Sequence, residues 1–288
     1  MSSAMEIRVW GARGSIPTPA AENLGYGGNT SCVEVVLSTG ESFIFDAGTG
    51  IRNLGIAQLG APVKRPHIHL FLTHFHWDHL QGLPFFPPLY DPSKTVTFHS
   101  ARPVEELEEI LRAQMVSPYF PIMFDKLPAT IRFEHLGESA VDFGPARICS
   151  FPLHHPQGAH GYRVETAGAS FVYATDHEHG DPSADAVLRR AAQKADVLFY
   201  DAQFTPAEYP SHRGWGHGTW LEGTCVAKDA GVKRLVLFHH DPGHNDRQID
   251  SIVALAQQQF PLTMAASEGL TIQVGAAAVA RSHRGRTA

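Results

Sequence analysis

Four apolar runs of this chain stop at histidine or aspartate: IHLFLTHFHWDH at 68–79, SFPLHHP at 150–156, SFVYATDH at 170–177 and LVLFHHDP at 235–242. Short apolar runs bounded by turn residues read as buried strands, so the donors stand where a strand ends and the backbone turns towards a cleft. His74 and His76, two apart, project to one side of an extended segment and can grip one cation together. Asp78 and His79 follow in the turn, where a second cation can be held. Neutral imidazole with carboxylate oxygen suits zinc at about 2.0–2.2 Å, and manganese or iron fit the same donors. A two-metal site needs about six or seven protein ligands, so the first run predicts further donors downstream. The candidates are His154 or His155, Asp176, and His239 or His240, with each adjacent pair open at this point. The competing reading is a histidine-rich surface loop, which the recurrence at four strand ends disfavours.

Further runs of strand character lie at 6–10, 31–38, 42–46, 95–99, 161–165, 197–201 and 270–274. Helical spacing predicts helices over 103–115, 183–194, 219–230 and 246–259, with Asp181 or Ser183 capping the second and Gly231 stopping the third. Many early strands with interspersed helices imply a layered α/β arrangement, sheets inside and helices outside. No linker or repeat divides the 288 residues, so one domain over 1–275 is expected, followed by a flexible basic tail at 276–288. A charge of −6 argues against a broad phosphate-binding face for long nucleic acid. The start, MSSAMEIRVW, has no apolar leader and no segment reaches membrane-spanning length, so a cytoplasmic protein without membrane contact is the expectation. Three widely spaced cysteines, Cys32, Cys149 and Cys225, match no zinc or redox spacing and read as buried free thiols. Asp46, in FIFDAGTG, divides evenly between support beneath the metal histidines and a simple turn.

The order strand, H-x-H-x-D-H, His, Asp, His resembles the metallo-β-lactamase fold superfamily over roughly residues 5–275. Its ribonuclease Z and cyclic-phosphodiesterase branch is the nearer likeness, through WGARGSIPTP with GGNTSCVEV, HHPQGAHGYRVE, and YDAQF followed by GHGT. The resemblance implies a four-layer αββα sandwich. It places His74, His76 and His155 on one divalent ion, Asp78, His79 and His239 on the other, and Asp176 between them, with zinc the expected metal. His154 and His240 then fall to hydrogen-bonding roles. It also implies that Asp78, Asp201 and His217 take part in the chemistry, His217 donating a proton to the leaving alkoxide and Asp201 orienting it. Family members more often carry glutamate where this chain has Asp201, which leaves a shorter arm to reach the ring.

The expected activity is a phosphodiesterase cleaving a cyclic nucleotide or other small phosphodiester through a metal-bridging hydroxide. Acyl or lactone hydrolysis on the same site is the alternative, and a non-catalytic metal-binding sensor is the alternative of another class. Members that process tRNA carry a protruding arm where this chain has only TAGAS between two strands, which predicts a tight hairpin and no long nucleic-acid partner. Residues 81–130, rich in aromatics and prolines, read as an insertion near the active-site mouth that either stacks a base or shields the sheet. A homodimer is expected by resemblance, with 83–88 and 115–124 as contact surfaces.

Overall fold

The computed structural model describes residues 5–60 and 65–275; the tail at 276–288 lies outside them. The first sheet collects β1 (Met5–Gly11), β2 (Cys32–Leu37), β3 (Ser42–Phe45), β4 (His67–Phe71), β5 (Thr95–Ser100) and β6 (Thr130–His135). The second collects β7 (Val141–Phe143), β8 (Ala146–Leu153), β9 (Ala159–Thr166), β10 (Ala169–Ala174), β11 (Val197–Asp201), β12 (Leu235–Phe238) and β13 (Thr263–Ala265). The last strand, β14 (Thr271–Val274), returns to the first sheet beside β1. Each sheet is antiparallel in one half and parallel in the other: β3 to β6 run parallel, as do β10 to β13.

Alternation along the strands sets the layers. Phe43 and Phe45, Phe171 and Tyr173, and Phe199 point into the core between the sheets. Ile44, Leu70 and Phe98 face outward from the first sheet onto α1 (Gly50–Leu59) and α3 (Val104–Gln114), which contribute Ile51, Leu54, Leu107 and Leu111. Val172, Leu198 and Tyr200 face outward from the second onto α4 (Pro182–Ala191), α5 (Trp220–Ala230) and α6 (Asp246–Gln259). Strands buried on both faces read as unbroken apolar runs, which explains why the central ones are conspicuous in the sequence. The result is helix, sheet, sheet, helix, the expected four-layer α/β sandwich.

The helix ends follow their capping chemistry. Asp181 accepts from Ser183 N and Ala184 N, Thr219 accepts from Glu222 N, and Asn245 with Gln248 closes a capping box. The second predicted helix starts one residue early, at Pro182, because Asp181 rather than Ser183 is the cap. Helix α1 was not expected from the sequence, nor were β6, β7 and β13. Asp78 and His79 lie not in an open turn but in a one-turn helix, α2 (Trp77–Leu80). The hairpin between β9 and β10 turns on Ala167 and Gly168 alone, with Thr166 paired to Ala169. Residues 81–130 include β5, which pairs with both β4 and β6. The three cysteines are free; Cys32 is buried, whereas Cys149 and Cys225 are only half-buried because their strand and helix face outward there.

Candidate metal centre

The parallel halves of the two sheets end at one edge, and ligands in α/β sheets collect outside such carboxyl ends. From the first sheet, Asp46 follows β3, and His74 and His76 follow β4 and lead into α2. From the second, His155 follows β8, Asp176 follows β10, Asp201 closes β11 and His239 follows β12. Three of these residues turn out of their strands in left-handed conformations, with φ of 62° at Asp46, 59° at Asp176 and 61° at His239. That backbone costs a non-glycine residue roughly 1–2 kcal/mol and recurs where geometry at a site is over-determined.

Every residue that the resemblance implied for the site is brought to this edge. His74, His76 and His155 form one cluster of ligand-capable atoms, and Asp78, His79 and His239 another. Asp176 lies between them: its Oδ1 is 3.7 Å from His74 Nε2, 4.0 Å from His155 Nε2 and 3.5 Å from His239 Nε2, and its Oδ2 is 3.2 Å from His79 Nε2. The adjacent pairs separate cleanly. His154 is exposed and its Nδ1 donates to Glu178 O, while His240 Nε2 donates to Ala266 O, 2.8 Å away on the far side.

Hydrogen bonds around the rim fix how the rings present themselves. His79 Nδ1 donates to Asp46 Oδ2 (2.8 Å), His239 Nδ1 to Gln203 Oε1 (2.8 Å), His155 Nδ1 to Gly216 O (2.9 Å) and His76 Nε2 to Gln157 Oε1 (2.9 Å). His74 Nδ1 donates to Thr73 Oγ1 (3.0 Å), whose own hydrogen goes to Asp46. With each outer nitrogen committed as a donor, each ring in its neutral form turns a lone pair inward at its other nitrogen. Those lone pairs face one another: His79 Nε2 and His239 Nε2 are 3.4 Å apart, and His76 Nδ1 and His155 Nε2 are 3.2 Å apart. His74 Nε2 is buried with no hydrogen-bond partner among the described residues. Opposed lone pairs repel unless a cation sits among them, so the donor set fits divalent metal.

The electrostatics agree. Burial disfavours a charged His239 ring, yet Asp176 and Asp78 outweigh it and push its pKa up to about 9; a place that attracts a proton this strongly attracts a metal ion. His74 is held low, first by burial and then by His79, so it stays neutral. Asp78 is held below the usual carboxylate range, burial opposing and His79 and His239 prevailing. Its Oδ2 also accepts from Ser15 N at 2.8 Å, which explains the GARGS segment: Gly14 lets the backbone pass where a Cβ would stand 2.4 Å from the His239 ring.

Asp201 and His217 form a buried pair beside the cluster. His217 Nδ1 donates to Asp201 Oδ2 at 2.8 Å, so the aspartate arm is long enough. Asp201 is itself fixed by the backbone amides of Asp176, Gln203 and Gly218. The His217 ring stacks on His239, 4.9 Å between centroids. Asp46 takes the supporting position: it is fully buried and accepts from Thr73, His79 and Tyr173. Gln203, in YDAQF, Gln157, in HHPQGAHGYRVE, and Thr73, in THFHWDH, stood inside quoted motifs without being read; Glu178 carried no sequence signal.

Two mixed sheets between helices, with a His/Asp cluster at one edge, define a metal-dependent hydrolase of the metallo-β-lactamase fold. Residues 41–240 match the family model for the beta-lactamase superfamily domain, and the chain belongs to that superfamily. It is similar to the ribonuclease Z of Synechococcus sp. (strain WH7803), 24% identical over 334 residues covering 94% of this chain and 96% of that one. Among solved structures it resembles the metallo-beta-lactamase fold protein YhfI from Bacillus subtilis, with TM-score 0.71 and 19% identity over 94% of this chain and 99% of that one. A diphosphatase from the PhnP family superposes with TM-score 0.69 and 18% identity, covering 95% and 98%. No helix among the described residues is long and apolar enough to cross a membrane.

Proposed function

We propose that this hydrolase is a phosphodiesterase acting on a cyclic nucleotide or another small phosphodiester. His74, His76 and His155 would hold one divalent ion and Asp78, His79 and His239 the other, with Asp176 shared and zinc the metal best matched to the donors. Such ions supply Lewis acidity and activate water for attack at phosphorus. The observation that carries the reading is the pair His217–Asp201, 2.8 Å apart and packed on His239. An alkoxide leaving group needs a proton, and in this reading His217 donates it through Nε2 while Asp201 stabilises the charged ring through Nδ1. Asp78, anchored by Ser15 N, keeps the second cluster's geometry while His239 and His217 stack.

A small substrate is supported by the two-residue hairpin at Ala167 and Gly168, which extends no arm, and by the net charge of −6. The relatives' names, a ribonuclease and a diphosphatase, both describe cleavage at phosphorus. A cytoplasmic homodimer belongs to the same reading, with exposed Phe85, Tyr119 and Met123 in 83–88 and 115–124 as its contact face. The test is a panel of 2′,3′- and 3′,5′-cyclic nucleotides, bis(p-nitrophenyl) phosphate, a lactone and a β-lactam on metal-reconstituted protein. Metal-dependent turnover of phosphodiesters is expected. Lactone or lactam turnover with no phosphodiester turnover would sink the proposal in favour of acyl hydrolysis, and bound metal with no turnover at all would favour a sensor.

A further inference from the structure

Trp215 stands two residues before His217 and one before Gly216, whose carbonyl holds His155. The indole is 60% exposed, yet its backbone is clamped from both sides. Glu178, itself only 6% exposed, accepts from Gly214 N at 2.7 Å and from Gly216 N at 2.8 Å, and from the Tyr209 hydroxyl at 3.1 Å. Gly216 has φ of +91°, and a Cβ there would stand 2.1 Å from His155 Nδ1, so the loop fits against the metal cluster in one way only. The ring contacts of Trp215 are perpendicular: His212 at 4.8 Å and 83°, Phe204 at 6.5 Å and 73°. No ring lies parallel on either indole face among the described residues. Phe204 in turn rests 6.0 Å from the His217 ring, so the aromatic series runs from solvent to the proton donor.

A large flat side chain with open faces, on a loop already ordered, loses little entropy when another ring stacks on it. We propose that Trp215 is the platform for the nucleobase of the substrate and so determines specificity for a ring-bearing phosphodiester. The proposal rests on the phosphodiesterase reading and moves the base from the 81–130 segment to the loop that carries His217. Base–aromatic stacking is worth roughly ten- to a hundred-fold in binding and tolerates any base. The same loop thus joins recognition of the base to protonation of the ribose oxygen released from phosphorus.

The test compares the best cyclic nucleotide of the panel with its base-free methyl riboside cyclic phosphate on wild type, Trp215→Ala and Trp215→Phe. For Trp215→Ala, KM for the nucleotide should rise roughly ten- to a hundred-fold with kcat held within about twofold, and the base-free substrate should be unaffected. Trp215→Phe should recover most of the loss. Equal effects on both substrates, or none on either, overturn the assignment. So does loss of the preference for a base in Trp77→Ala instead, since Trp77 is the other exposed indole at the site, 69% exposed between His76 and Asp78. Calorimetric binding of AMP against ribose 5-phosphate separates this proposal from the functional reading. If no phosphodiester is turned over, a base-dependent affinity lost in Trp215→Ala still supports the platform, and its absence in wild type overturns it.

Discussion

Replacing Asp46 by Asn should change the proton position on a histidine that the substitution never touches at the metal side. Asp46 is fully buried and accepts from Thr73 N (2.9 Å), Thr73 Oγ1 (3.0 Å), His79 Nδ1 (2.8 Å) and Tyr173 OH (3.1 Å). An asparagine keeps one acceptor oxygen, which Thr73 N–H claims, and turns the other position into a donor aimed at His79 Nδ1. Two donors cannot face each other there, so the imidazole shifts its hydrogen to Nε2, the nitrogen that faces Asp78, Asp176 and His239. Flipping the amide only moves the conflict to Thr73 N. Losing such an orienting partner costs about 10–100-fold in metal affinity, or about 1.4–2.7 kcal/mol. The assay is metal content after dialysis against a buffered zinc series, with long-range ¹⁵N correlation on the histidine rings to read the tautomer. The expected result is one ion retained near wild-type affinity and one weakened, with His79 carrying its hydrogen on Nε2. Unchanged affinity for both ions with a switched tautomer would refute the reasoning.

Two further outcomes follow from the geometry. His217→Ala should lower kcat for an alkyl-leaving phosphodiester by about 10²–10⁴-fold, and far less for bis(p-nitrophenyl) phosphate, whose leaving group needs no proton; equal losses on both would remove His217 from the proton transfer. His99, stacked on Phe71 at 4.5 Å, is held at a pKa of about 3 by burial and then by His69, against about 6.5 in the unfolded chain. The unfolded state therefore binds a proton that the folded state refuses, so this contribution is complete above about pH 6.5 and is lost as pH falls towards 3. In His99→Phe, the drop in unfolding free energy between pH 7.5 and pH 5, measured in urea, should be smaller than in wild type by about 2 kcal/mol; an identical drop counts against the assignment.

Much of the centre was legible because the central strands are buried on both faces, so their apolar runs break abruptly at the donors. The histidine doublets were not separable by local rules, since His154 and His155 differ only in which side of the edge the chain presents after β8. The supporting shell was illegible for another reason: it is assembled by closure of the sandwich, as when Tyr173 reaches Asp46 across 127 positions. Helix α1 begins without a side-chain cap and contains two glycines, Gly50 and Gly55, each needed for close packing, on Trp10 O and on Pro87. Its composition looks like a turn because contact distance, not propensity, selects it. The β6 segment TIRFEH does alternate apolar and polar residues, but as an edge strand it buries little, and it begins only where the 81–130 segment ends.

The left-handed turns at Asp46, Asp176 and His239 bear on how this fold ages once its chemistry is no longer needed. Glycine and asparagine occupy that backbone more comfortably than histidine or, at a buried position, a charged aspartate. While the cluster is in use the strain is tolerated; after it falls idle, the easiest gain in stability lies at these three positions. Copies of the chain that have become inert should therefore drift there first, towards glycine or asparagine, while the strands before them keep their apolar runs. Three non-glycine residues turning left-handed at the ends of β3, β10 and β12 are thus a mark by which a working copy is told from a decayed one whose fold is still intact.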